Sequence, residues 1–217
     1  MIRWSPATVA EALAEGVADR ARDLDAEQAV TGLDQWTEVQ LHPVLAAGAV
    51  AAGMGVHREV RYPGDRDRHR AGSLARGERC DLVLTPDARE LVPEDRRATL
   101  FDPPDAVPLD EACWVEVKTA AQFVAGEPNP AWSTQLGEPV RRDVVKLARD
   151  PVIREAGLAL VLFTRDTATA AHDLLAFEDG CLADRLPIGS PARRILELTD
   201  RHGNAVVTVA VYPVGRA

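Results

Sequence analysis

The sequence predicts an α/β protein, and three observations carry that expectation. Residues 157–164 (GLALVLFT) form an almost unbroken apolar run, the pattern of a central strand buried on both faces. Shorter segments with strand-like patterning, at 56–62, 80–85 and 112–119, precede it. Segments with apolar residues at helical spacing lie on either side of these strands.

Taken in order, Ser5-Pro6 supplies an N-cap and a first-turn proline, and Val9, Leu13, Val17 and Leu24 recur on one face of a first helix. A break near Gly32 separates it from a second helix over 36–52, entered through the capping box Thr37/Gln40. Pro43 either kinks that helix or marks its first turn. Gly53 and Gly55 end it, and Val56, Arg58, Val60 and Tyr62 are expected on one face of the strand that follows. Residues 63–77 have no periodicity and read as a loop. Strands at 80–85 and 112–119 flank a proline-rich connection. Pro139 opens a helix over 139–149, with an apolar stripe of Val140, Val144, Leu147 and Ala148 and a stop at Pro151. After the apolar strand come expected helices at 168–177 and 190–198 and a closing strand at 205–212. The organisation expected is an N-terminal helical extension (1–32), a core (33–165) and a C-terminal helix-strand extension packed on it (166–217).

The composition narrows the function. With 217 residues and a net charge of −9, the chain is not suited to coating nucleic acid over its whole surface. The window 58–79 departs from that balance, with seven Arg (58, 61, 66, 68, 70, 76, 79) against four acids. It reads either as a solvated loop or as a nucleic-acid contact that includes Arg66, Arg68, Arg70 and Arg76. No apolar run is long enough to cross a membrane and no secretory leader is evident at the amino terminus. Three cysteines (80, 113, 181) without CxxC spacing suit a reduced, cytoplasmic protein without a structural zinc. None of the five histidines forms a recognisable ligand pair, so they read as ordinary. There is no phosphate-cradling glycine loop. Trp36, Trp114 and Trp132 suit either base stacking or packing. Of 25 basic residues only two, Lys118 and Lys146, are lysine, in a chain that otherwise uses arginine.

The chemistry concentrates around one of these lysines. Glu116 and Lys118 in Trp-Val-Glu-Val-Lys point to the same face of their strand, while Val115 and Val117 point to the other. Buried charges must be paired or bind a metal. Asp81 on the preceding strand and Glu116 would make an oxygen-rich site for Mg²⁺, with Mn²⁺ as a substitute, to which the Val117 carbonyl could add a ligand. Lys118 beside it could orient a water or stabilise developing negative charge. The competing readings are an exposed ion pair for Glu116/Lys118, a strand-entry residue for Asp81, and a simple helix-dipole acid for Glu38.

Asp81, then Glu116-Val117-Lys118, with Glu38 on a preceding helix, resembles the PD-(D/E)xK nuclease superfamily over about residues 36–164. The resemblance implies a restriction-endonuclease-like three-layer core, ordered α-β-β-β-α-β. It implies Asp81 and Glu116 as metal ligands, Lys118 as the catalytic lysine and Glu38 as an acid assisting the metal through water. Gln122 matches the polar residue that follows the motif in several branches, and Arg142 or Lys146 on the second core helix could approach the phosphate. Cys80 stands where the superfamily usually has Pro, and the Asp81–Glu116 interval is long. The activity implied is Mg²⁺-dependent hydrolysis of phosphodiesters in DNA, in a restriction, repair or phage-defence role, with RNA as the alternative substrate. The chain would act as a homodimer or with a protein partner docked on the acidic first helix. The alternative is a catalytically inactive nuclease-fold subunit serving as a scaffold.

Overall fold

A computed structural model describes residues 4–66, 78–92 and 105–216, with only the backbone at 65 and 66. Helix α1 (Pro6–Ala26) and helix α2 (Glu38–Ala51) come first. Strands β1 (Gly55–Arg61), β2 (Arg79–Thr85) and β3 (Cys113–Ala121) follow. A small hairpin, β4 (Phe123–Val124) and β5 (Glu127–Pro128), leads to the one-turn helix α3 (Trp132–Gln135) and to α4 (Glu138–Arg149). The chain closes with β6 (Glu155–Thr164), α5 (Thr167–Ala183), β7 (Ala192–Glu197) and β8 (Val206–Val214).

The main sheet has six strands in the order β1-β2-β3-β6-β8-β7. β3 and β6 are parallel and every other pair is antiparallel. The sheet is therefore mixed, with α1 and α2 on one face and α4 and α5 on the other. Each face has its own apolar core. Val115, Val117, Ala159, Val161 and Val209 point toward α1 and α2, and Trp114, Leu158, Leu160 and Leu162 toward α4 and α5. β6 is buried on both faces because the crossover through α4 and the following α5 cover one side while α1 and α2 cover the other.

The expected caps hold in α2, where Thr37 accepts from the Gln40 amide and the Gln40 side chain accepts from the Thr37 amide. Pro43 lies in the second turn of α2, inside the helix. α1 and α2 approach closely at Gly16 and Gly48, where a Cβ on either would overlap the facing backbone.

Three expectations need correction. Residues 192–197 are a strand, not a helix. β8 would otherwise present an unpaired outer edge, and β7 satisfies it from Ala192↔Val211 to Glu197↔Val206. The Arg-Arg pair in β7 alternates across the sheet: Arg193 bonds Glu178 of α5 and Arg194 bonds Glu11 of α1. The segment after residue 165 is accordingly a helix followed by two strands of the main sheet. β1 also does not keep one face. Glu59 adopts a left-handed φ of 55°, so Val56 packs toward α1 and α2 while Val60 packs on the opposite core. Finally, α5 runs to Ala183, past the expected end at 177.

Candidate functional site

The site forms where β2 and β3 part. Their ladder runs from Leu84↔Cys113 to Leu82↔Val115 and ends there. One residue further, the same register would set Asp81 opposite Glu116. Instead of continuing the backbone ladder, Asp81 accepts the Val117 amide through Oδ2 at 2.8 Å. The carboxylate thus replaces a strand carbonyl and holds the fork open. Because the strands separate here, side chains from helices on both faces of the sheet can meet.

From α2 comes Glu38, whose carboxylate accepts from Lys118 Nζ at 3.1 Å and from the Thr119 amide at 3.2 Å. One turn later on the same helix face sits His42, buried at 2% exposure. From α4 come Asp143 and Lys146. Lys118 Nζ reaches Asp143 at 3.1 Å, and Lys146 Nζ reaches both Asp143 at 3.1 Å and Glu116 at 2.8 Å. Tyr62, just beyond β1, donates its hydroxyl to Glu116, and the Lys146 ammonium lies 4.9 Å from its ring centre. Glu116, 2% exposed, is the most buried acid of the group.

The electrostatics follow from burial. Glu116 is pushed up to about 7 by burial and by the neighbouring Asp81 charge, against the pull of Lys146. Burial also raises Asp81, partly countered by its bonds to Glu116 and the Val117 amide. For Lys118, burial favours the neutral amine, but the carboxylates of Asp143 and Glu38 outweigh it and hold the ammonium charged. Lys146 is held charged in the same way by Glu116 and Asp143. His42 is lowered by burial, so its ring is neutral at pH 7. Its 3.8 Å approach to Asp81 Oδ1 and 3.9 Å approach to Glu59 Oε1 are therefore not ion pairs.

Glu38, His42 and Asp81 form a group that could hold a metal ion, with their donor atoms all within 4.8 Å of one another. Both ring nitrogens of His42 are buried without a hydrogen-bond partner, a costly state that a cation bound at one of them would relieve in part. Among the described residues, the carboxylates of Glu38, Asp81, Glu116 and Asp143 meet the ammonium groups of Lys118 and Lys146 at the fork, and burial beside Asp81 favours a proton on Glu116 that a divalent cation could replace.

The structure brings Glu38, Asp81, Glu116 and Lys118 together, as their pattern suggests. The Val117 carbonyl accepts from Lys118 Nζ at 3.0 Å, and the Val117 amide donates to Asp81. Gln122 does not join the cluster: its side chain accepts from the Arg165 amide at 2.9 Å, tying the end of β3 to the end of β6. Lys146 lies within the cluster, bonded to Glu116, while Arg142 is exposed on the same helix. Arg68, Arg70 and Arg76 lie outside the described residues, as does the side chain of Arg66. His42, Asp143 and Tyr62 are the members that sequence reasoning missed. The i, i+4 spacing of Glu38 and His42 was a usable signal, since it sets both on one face of α2. Nothing local marks Asp143 or Tyr62, whose roles depend on how α4 and β1 pack.

Comparisons with protein-family models, with curated proteins and with solved structures gave no match.

Proposed function

We propose that this chain is a divalent-metal-dependent nuclease, hydrolysing phosphodiester bonds in DNA, built on a restriction-endonuclease-like core. The observation that carries the proposal is the convergence of Glu38, Asp81, Glu116 and Lys118 on the fork between β2 and β3. The order α2-β1-β2-β3-α4-β6, with β3 parallel to β6, supports the core assignment.

Glu38, His42 and Asp81 would hold the cation, with the Glu116 carboxylate beside Asp81. Such an ion supplies Lewis acidity toward a phosphate oxygen and acidifies water at neutral pH. An imidazole among the donors suits Mn²⁺ better than Mg²⁺. Lys118 has all three N–H groups engaged, with Glu38, Asp143 and the Val117 carbonyl. As a retained ammonium it is a donor and not a base. Its role is to exchange one of these partners for a phosphate oxygen and stabilise negative charge developing there. Asp143 and Lys146 hold Lys118 and Glu116 in place from α4.

The test is incubation of supercoiled plasmid, single-stranded DNA and RNA with Mg²⁺, Mn²⁺ or EDTA, beside Asp81→Ala and Lys118→Ala. The expected result is metal-dependent cleavage lost in both variants. Absence of cleavage, together with no metal-induced rise in melting temperature, overturns the proposal and favours the scaffold reading.

A further inference from the structure

Lys118 lines two cavities, one on each side. The first, about 560 Å³, is walled by α4 and carries Arg142, Lys146 and Arg149 at helical spacing on one face. Arg142 and Arg149 are exposed. The second, about 480 Å³, extends from Lys118 and Glu38 toward the β4–β5 hairpin. Its character is different: Trp36, Phe163, Val124, Ala120, Ala121 and Gln135 line it. The end of β3 contributes two small residues, Ala120 and Ala121, to its wall.

We propose that the second cavity receives a nucleobase from the nucleotide next to the phosphate held at Lys118, and that the substrate is therefore single-stranded at that position. This rests on the nuclease reading and adds to it the class of strand the site accepts. Three features favour a base. The recess is of the size that takes small organic ligands, about 300–1,000 Å³. Its walls combine the half-buried indole of Trp36 with the amide side chains of Gln35, Asn129 and Gln135, the chemistry that stacks a base and meets its polar edge. It also adjoins Lys118, so a base in it stays attached to a phosphate at the fork.

Of the three tryptophans that suit base stacking, Trp36 alone fits. Trp114 is fully buried and donates to the Leu109 carbonyl, and Trp132 donates to Asp173. The Arg20 guanidinium lies 5.5 Å from the Trp36 ring centre, fixing the indole from the α1 side. On the other side of Lys118, the α4 cations follow the phosphates of the same strand. A base seated in the recess has left the stack of its neighbours, which a paired duplex resists.

The experiment measures binding in EDTA, without cleavage, by anisotropy of a short fluorescein-labelled single strand and of the matching blunt duplex. Proteins are the wild type, Trp36→Ala and Val124→Trp; the last fills the recess from the exposed hairpin. Wild type is expected to prefer the single strand, and either substitution to weaken it about tenfold, within the range for one base stacked on an aromatic side chain. Scanning a single abasic position along the strand should find one site with a similar loss in wild type and little further loss in Trp36→Ala. Equal binding of duplex and single strand, indifference to every abasic position, or full affinity in Val124→Trp overturns the base recess. The Mn²⁺-induced melting shift, measured on the same proteins, should be retained in both variants. Its absence from wild type would count against the metal site itself, which separates the two failures.

Discussion

Replacing Lys146 with Met tests whether the fork is held by charge. The substitution keeps most of the apolar stem but removes the ammonium that bonds Glu116 at 2.8 Å and Asp143 at 3.1 Å. Breaking a buried ion pair costs about 3–5 kcal/mol. The Lys146 side chain is 23% exposed, so water replaces part of the lost interaction, and about 2–3 kcal/mol is the expected loss at pH 8. Its pH dependence is the stronger test. Glu116 is raised in the folded protein to about 7, from an ordinary value of 4.5, so its contribution to stability is fully present below 4.5 and is lost as pH rises through 7. Lys146 is the cation that limits this rise. Without it Glu116 titrates higher still, and the penalty continues to grow above pH 7. At pH 5.5 Glu116 is mostly protonated in both proteins, and the cost should fall to about 1 kcal/mol, that of a lost hydrogen bond. Urea unfolding at the two pH values in EDTA measures the difference. At pH 8, melting should drop by about 5–10 °C. An equal loss at both pH values would refute the assignment of a charge-paired Glu116.

Other outcomes follow from the same geometry. His42→Ala should abolish the Mn²⁺-induced rise in melting temperature expected in differential scanning fluorimetry, since it removes the only nitrogen donor of the group. Gly48→Ala places a methyl against the α1 backbone and should cost about 2–3 kcal/mol in chemical denaturation, whereas Gly53→Ala, at a left-handed φ but in open space, should cost about 1 kcal/mol. Thr37→Ala should cost about 1 kcal/mol by removing the α2 cap. In the cleavage assay Lys118→Arg should lose at least about 100-fold, because a planar guanidinium cannot reproduce three divergent N–H bonds to Glu38, Asp143 and the Val117 carbonyl.

The parts of the fold visible in the sequence are those written in local patterns. The apolar run of β6, the capping box of α2 and the stripe on α4 each declare an element without reference to the rest of the chain. β7 fails that test. Ser190-Pro191 looks like a helix start, and the alternation of Arg193 and Arg194 toward α5 and α1 acquires meaning only once β8 is there to pair with it. Glu59 is similar: its left-handed backbone reverses the face of β1, and no residue preference in the sequence announces it. At the site, Asp81, Glu116 and Lys118 were legible from strand alternation, and Glu38 from its helix. Asp143 and Tyr62 were not, since their partners on β3, Lys118 and Glu116, are distant in the chain and are reached only once α4 and the end of β1 are in place. His42 was passed over for want of a paired ligand motif; its partners are a residue one turn back and a strand end.

The scarcity of lysine has a practical consequence. The two lysine ε-amines of the chain both sit at the fork, joined through Asp143. Amine-selective chemistry, such as reductive methylation or acylation, thus has only these two side chains and the amino terminus to modify. Because neighbouring carboxylates hold both ammoniums charged, they should react slowly while the fork is closed. Labelling of the two side chains, separated from the amino terminus by peptide mass, then reports on one location without any engineered probe. A mass spectrum taken after a timed pulse would count how many of the two amines a cation or an oligonucleotide has shielded or released.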